Sequence, residues 1–351
     1  MTSQAPFREM LLEVKDLKTH FFLGRGVVRA VDGVSFEIRR GQTLGLLGES
    51  GCGKSVTGYS ILRLIRPPGQ TISGEMLLHR NTTTAGGRAT TEIIDLARLD
   101  PQGRAIREIR GRDVAMVFQE PTTFLNPVYT IGDQISEAII LHQKVNKRDA
   151  KDKAIEMLRR VRLPDPEAIV DRYPHQMSGG QKQRAIIAMA LSCHPSLLIA
   201  DEPTTALDVT TEAQILALMN ELQSDLGMSI LCITHNLGVI AQTVEEVIVM
   251  YLGKVVEKTD VRTLFADAKH PYTQALLRSV PIIGRKSRQR LQAIKGVVPD
   301  PLNLPSGCRF HNRCSSYMRG VCEVSEPPML DIGNGHLVRC FLYDGSGVQS
   351  E

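Results

Sequence analysis

At 351 residues the chain is long enough for two domains and a large core. A content of 42% hydrophobic and 23% charged residues is that of a soluble globular protein, and a net charge of +4 is too mild to indicate a nucleic-acid partner by itself. No stretch has the apolar length of a membrane span, since 185–200 is broken by His194 and Pro195, and Met1 to Met10 has no apolar signal core, so a cytoplasmic protein is expected.

Met10 to Phe22 alternates loosely and predicts a strand, and Val27 to Ile38 predicts a second, with Asp32-Gly33 marking a turn or bulge. Thr43 to Leu47 reads as a short buried strand, and Val56 to Arg66 as a helix stopped by Pro67-Pro68. Strands are expected at Glu75–Leu78 and Thr91–Ile94, flanking a polar loop from Asn81 to Arg88. Pro101 to Arg110 reads as a basic helix and Val114 to Phe118 as a buried strand. From about 130 to 193 the pattern is helical, with three-four apolar spacing over Ile131–Gln143, Asp149–Val161 and Gly179–Ser192. Strands return at Leu197–Ala200, Ile230–Thr234 and Val247–Tyr251, with a helix at Thr211–Leu226, a spacing that implies parallel pairing. Beyond Lys258, helices are expected at Val261–Ala266 and Tyr272–Ser279. The basic run Gly284 to Arg290 reads as a solvated linker, with contact to lipid headgroups as the alternative. From Val297 onward Pro, Gly and Cys dominate. The expected division is one domain at 7–262 and an extension at 263–351, with no internal repeat.

Gly48-Glu49-Ser50-Gly51-Cys52-Gly53-Lys54-Ser55 fits G-x-x-x-x-G-K-[ST] between a predicted strand and a predicted helix. Glycines let successive backbone N–H groups point at one anion, and the helix N-terminus beginning near Val56 adds its positive dipole end. Lys54 is placed to reach the β- and γ-phosphates of a nucleotide, and the Ser55 hydroxyl to ligate Mg²⁺. The strand Leu197–Ala200 ends in Asp201 and Glu202; next to the P-loop strand it would bring Asp201 to the Mg²⁺, leaving Glu202 to polarise an attacking water. Ser178 is a good N-cap followed by Gly179, Gly180 and Gln181, a second anion-binding helix start. One nucleotide rarely needs two, so this one is expected to serve a nucleotide held by another subunit. Gln119 and His235 each follow a strand, where a polar group reaches a ligand.

In this order the motifs, with Leu207-Asp208, resemble an ABC transporter nucleotide-binding subunit over residues 10–260. The resemblance implies an α/β P-loop NTPase fold: a RecA-like core, an antiparallel β subdomain and a helical subdomain. It implies ATP hydrolysis, with Gln119 on Mg²⁺ or water, Met177–Gln181 as the signature, Asp208 as the D-loop Asp and His235 at the γ-phosphate. Phe21 matches the aromatic that stacks on adenine, with Phe22 the substitute. Phe118-Gln119-Glu120-Pro121, Leu125-Asn126-Pro127-Val128, Arg172-Tyr173-Pro174-His175-Gln176, His270-Pro271-Tyr272-Thr273 and Pro305-Ser306-Gly307-Cys308-Arg309-Phe310 resemble the dipeptide/oligopeptide importer branch. Glu120 and Asn236 stand where that branch often has Asp. The implied partners are a second ATPase subunit, favoured as a paralogue, two transmembrane permease subunits and an extracytoplasmic solute-binding protein, with the chain peripheral at the cytoplasmic face of the inner membrane. The alternative is a soluble ABC ATPase acting on nucleic acid or ribosomes, which usually carries paired cassettes or long coiled-coil insertions.

Four of the seven cysteines, Cys308, Cys314, Cys322 and Cys340, fall in the last 44 positions, at spacings of five, seven and seventeen residues. Four thiols in a cytoplasmic chain suit a metal centre. Zinc sites show tighter pairs, so loose spacing in a Pro/Gly-rich segment favours a [4Fe-4S] cluster over Zn²⁺, as the resemblance does; four free cysteines are the plain alternative. The expected role of such a centre is structural, supplying folding free energy to a segment poor in apolar periodicity.

Overall fold

The structure is a computed structural model that describes residues 8–83, 89–119, 124–205, 207–279 and 294–344. The first two strands, β1 (Met10–Leu23) and β2 (Gly26–Arg39), form an antiparallel pair. Their alternation puts Leu12, Val14, Val34, Phe36 and Ile38 in the core. β3 (Thr43–Leu47) is buried throughout and leads into α1 (Lys54–Ile61). The expected helix to Arg66 stops early because Arg63 takes a left-handed φ of 54°. β4 (Gly69–Thr83) is far longer than the expected Glu75–Leu78, because it pairs with both β1 and β5 (Ala89–Asp95). These four strands form one sheet in the order β2-β1-β4-β5.

Next come α2 (Arg104–Ile109) and β6 (Val114–Val117). The helical insertion follows as α3 (Ile131–Gln143), α4 (Lys147–Arg160), the short α5 (Pro166–Ile169) and α6 (Gly179–Leu191). α3 starts at a capping box of Thr130 and Asp133, and α6 at one of Ser178 and Gln181. β7 (Leu197–Asp201), α7 (Val209–Leu226), β8 (Ser229–Thr234), α8 (Leu237–Thr243), β9 (Glu246–Tyr251) and β10 (Lys254–Asp260) follow. α9 (Val261–Asp267), α10 (Pro271–Ser279) and the two-residue strands β11 (Leu330–Asp331) and β12 (Leu337–Val338) complete the described elements.

The second sheet runs β11-β12-β10-β9-β3-β8-β7-β6, parallel from β9 to β6 and antiparallel beyond β9. Its parallel strands read as unbroken apolar runs because both faces are covered. One face packs with the antiparallel sheet through Leu44, Leu46, Ile199, Leu231 and Ile233, the other with the helices through Leu47, Leu198, Ala200 and Val249.

The sequence reading lacks α8 and β10. α8 is short, and β10 carries Lys254, Glu257 and Lys258, which read as surface. Glu257 is nonetheless fully buried. It accepts hydrogen bonds from the Lys269 and His270 amides at 2.7 and 3.0 Å and pairs with His336 Nε2 at 2.7 Å. A second correction concerns β7. It is not adjacent to β3, because β8 lies between them. α1 bridges the gap by packing on both β7 and β8, with Gly58 against Ile199 and Ile233. The basic run at 284–290, residues 84–88 of the expected polar loop, and Glu120 and Pro121 lie outside the described residues.

Candidate active site

Because β3, β6, β7 and β8 are parallel, the segments leaving their C-terminal ends meet along one edge of the sheet. Those segments carry Gly48–Ser55, Gln119, Asp201–Glu202 and His235. In the P-loop, Gly53 caps α1 at φ 103°, and a Cβ there would stand 2.0 Å from the Ala30 carbonyl oxygen. Lys54 is buried, and its Nζ donates to the carbonyls of Gly48 at 2.8 Å and Glu49 at 3.0 Å. Cys52 is buried beside it, and Val56 packs at the edge of the core. Ser50 and Gly51 are exposed at the tip.

Ser55 Oγ donates to Asp201 Oδ1 at 2.9 Å, so α1 achieves the meeting that strand adjacency was expected to give. Asp201 is fully buried, and burial pushes its carboxyl up to about 6 against the bond from Ser55. Its Oδ2 has no hydrogen-bond partner among the described residues. A buried, orphaned carboxylate oxygen beside a hydroxyl suits a hard divalent cation such as Mg²⁺, whose charge would offset the cost of burial.

Glu202 holds an unusual left-handed φ of 46°. Its Oε2 accepts from Gln119 Nε2 and from Thr205 Oγ1, each at 2.9 Å, and its Oε1 pairs with His235 Nδ1 at 2.9 Å. Burial alone would raise this carboxyl. The bonds from His235 and Thr205, with the charge of Lys54, outweigh burial and hold it below the usual carboxylate range. Gln119, Glu202 and His235, singled out separately in the sequence, thus form one hydrogen-bonded cluster. Behind it, Glu212 on α7 accepts from Thr204 Oγ1 at 3.0 Å and Asn236 Nδ2 at 3.3 Å.

The Ser178 amide donates to Gln181 Oε1 at 3.1 Å, and Ser178 Oγ accepts from the Gln181 amide at 3.3 Å. These side-chain bonds join the motif to itself and not to the P-loop, and Ser178 and Gly179 are exposed. Gly180 lies against Thr211 and Gly179 near Leu207. Asp208 is exposed and caps α7 through the Thr211 amide at 3.0 Å. Phe21 pairs with Val28 and Gly69 across the antiparallel sheet, its ring over Gly69, and Phe22 is exposed.

Sequence reading missed three residues that touch this machinery. Thr205 holds Glu202, and its place three residues after a paired carboxylate was a usable signal. Tyr272 Oη accepts from the Glu49 amide at 2.9 Å, and Arg313 forms two bonds with the Glu49 carboxylate at 2.8 and 3.1 Å. Partners 223 and 264 residues away left no local sign.

Cys308, Cys314, Cys322 and Cys340 all line one small cavity, with His270, His311 and Phe310 beside them. Burial first, then the other cysteines, pushes the Cys308 thiol up to about 11 and the Cys340 thiol up to about 12. Even so, no group of three or more His, Cys, Asp or Glu side chains among the described residues is arranged to hold a metal ion. The expected cluster or zinc therefore finds a converging donor set but no formed ligand sphere. The loop is instead held by its own backbone, through Cys308 N to Cys322 O at 2.8 Å and Cys314 N to His311 O at 3.2 Å.

Residues 31–205 match the ABC transporter family, and residues 256–322 match the oligopeptide/dipeptide transporter C-terminal region. A probable peptide ABC transporter ATP-binding protein of Sinorhizobium fredii is 48% identical over 96% of both chains. The oligopeptide transport ATP-binding protein AppD of Bacillus subtilis is 47% identical over 97% of this chain and 98% of its own. The dipeptide transport ATP-binding protein DppD of Haemophilus influenzae is 46% identical over 94% of both. Among solved structures, the ATP-binding cassette MJ0796, a dimer in a post-hydrolysis state with ADP and Pi, matches with a TM-score of 0.60 at 26% identity, covering 72% of this chain and 99% of that one.

Proposed function

The chain belongs to the ATP-binding subunits of ABC transporters, and from that premise we propose that it hydrolyses ATP to power import of dipeptides, oligopeptides or related small solutes. The observation that carries this reading is the convergence of Lys54, Ser55, Asp201, Gln119, Glu202 and His235 at one sheet edge. The match of residues 256–322 to the oligopeptide/dipeptide region favours it over an ABC ATPase acting on nucleic acid or ribosomes.

On binding, Lys54 leaves the Gly48 and Glu49 carbonyls for the β- and γ-phosphates, and the P-loop amides surround them. Phe21 stacks on the adenine. Ser55, Gln119 and Asp201 would hold Mg²⁺, which when bound neutralises charge on the phosphate oxygens. Glu202 turns from its present partners to a water and takes its proton as the water oxygen bonds to the γ-phosphorus. The bond from phosphorus to the β–γ bridging oxygen breaks, and ADP leaves with the electron pair. His235 steadies the γ-phosphate during transfer.

Ser178–Gln181 and Asp208 complete the site of a second ATPase subunit, favoured as a paralogue, and that subunit completes this one. Among the described residues no helix is long and apolar enough to cross a membrane. The chain works at the cytoplasmic face of the inner membrane on two permease subunits, which receive solute from an extracytoplasmic binding protein. Activity should therefore rise with protein concentration or with added partner subunit. Turnover that stays constant on dilution well below micromolar, from a species that sediments as a monomer, would refute the shared site.

The cysteine-lined cavity is the proposed seat of a [4Fe-4S] cluster, with Zn²⁺ as the alternative, because four thiols converge there. Protein purified without oxygen should be brown and carry about four iron atoms per chain. Cys314→Ser should bleach it and leave ATP binding in place. One zinc per colourless chain would substitute a zinc site, and metal-free protein would leave four thiols.

A further inference from the structure

We propose that the C-terminal segment is part of the nucleotide site: Tyr272 and Arg313 are positioning residues that hold Glu49, and through it the P-loop, in the shape that receives ATP. This rests on the reading of Gly48–Ser55 as the ATP-binding loop.

Glu49 is gripped at three points. Its amide donates to Tyr272 Oη at 2.9 Å, its carboxylate takes both terminal nitrogens of Arg313, and its carbonyl accepts from Lys54 Nζ at 3.0 Å. The third grip is temporary, since Lys54 must leave to meet phosphate. The other two come from the C-terminal segment and need not move. Both are rigid. Tyr272 is fully buried, with its ring 4.7 Å from that of Tyr251. The Arg313 side chain is only 4% exposed, and its guanidinium lies near the rings of Tyr251 and Phe310, at 5.8 and 6.0 Å. Two of its three other N–H donors are also used, with Nη1 reaching Tyr251 Oη at 3.3 Å and Nε reaching the Lys295 carbonyl at 3.2 Å. A planar fork fixed on all sides suits bidentate capture of a carboxylate.

The consequence is preorganisation. A loop already ordered loses less conformational freedom when ATP arrives, so its anchors raise affinity. Neither anchor touches the water or the γ-phosphate in this scheme. Their loss should therefore raise KM and leave kcat nearly unchanged.

The test is titration of the full-length protein with ATP under non-hydrolysing conditions, with steady-state kinetics in the assembled transporter and a thermal melt of each variant. Arg313→Gln and Tyr272→Phe should each weaken ATP binding roughly tenfold with kcat within about twofold. Arg313→Lys, keeping the charge without the fork, should fall between. Glu49→Gln with Arg313→Gln should bind no more weakly than either single change, because both remove one contact. Folded Arg313→Gln with wild-type affinity, or additive losses in the double variant, would overturn the inference. Should Arg313→Gln fail to fold, Tyr272→Phe decides the matter by the same criterion. Lys54→Ala separates the two readings. If the wild type binds ATP and Lys54→Ala does not, the loop is the nucleotide site, and an unaffected Arg313→Gln sinks the positioning role alone. If Lys54→Ala binds as the wild type does, the ATP-loop reading itself has failed.

Discussion

Glu202→Gln is expected to keep ATP binding and to lower turnover by about a hundredfold or more. The substitution preserves volume and one acceptor oxygen, so the contacts of Glu202 with Gln119, Thr205 and His235 can be rebuilt in part. What it removes is the ability to take a proton. The carboxyl is held below its usual range, so at neutral pH it is ionised and ready to accept one. The P-loop, Lys54 and Ser55 are untouched, so nucleotide still binds, and the complex should accumulate with ATP uncleaved. Single-turnover release of phosphate, beside equilibrium ATP binding, separates the two effects. Near-wild-type turnover would remove Glu202 from the role of general base.

Gly53→Ala should be the most damaging small change in the P-loop. At φ 103° an L-residue is strained by on the order of 1–2 kcal/mol. The new Cβ would also meet the Ala30 carbonyl oxygen on β2 at 2.0 Å, and a backbone atom within a strand cannot swing aside as the end of a side chain can. Either the loop or the sheet must shift, at a total cost of several kcal/mol. ATP affinity should fall by about two orders of magnitude, with a clear drop in melting temperature. Gly51→Ala is the internal comparison. Its φ is also positive, at 80°, but nothing lies within 4 Å of the added carbon. That variant should show only the backbone strain, a loss of about tenfold or less. Equal effects from the two substitutions would mean that the contact with Ala30 does not govern the loop.

What the sequence made legible follows from how local each signal is. β3, β7 and β8 are apolar runs bounded by turn residues, and their limits were readable to within one residue. α3 was readable to the residue, since its period is regular and Thr130 caps it. The P-loop pairs a fixed spacing with a fixed context, so its glycines, Lys54 and Ser55 stood out at once. The reach of β4 was not legible, because its polar ends become strand only by pairing, the first with β1 and the last with β5. β10 was hidden by its charges, which are satisfied by partners far along the chain. The same physics governs the site. Gln119, Glu202 and His235 were recognisable singly as polar residues at strand ends. That they bond to one another depends on strand order, and strand order cannot be read from any of the three segments alone. Arg313 and Tyr272 are the extreme case, meaningful only once the chain has folded back across the P-loop.

The small β11–β12 hairpin has a bearing on how the chain is made. β12 pairs with β10 at Glu257 and Lys258, opposite Val338 and Leu337, and so covers what would otherwise be the open margin of the large sheet. During synthesis, β10 leaves the ribosome long before Val338 does. For that interval the nascent protein offers a row of unpaired backbone groups to any neighbour, and Glu257 waits without His336. Emergence of the β11–β12 segment, and not the appearance of the ATP motifs, is then the event that closes the fold, and a chain cut before residue 337 would be prone to stick to its own kind.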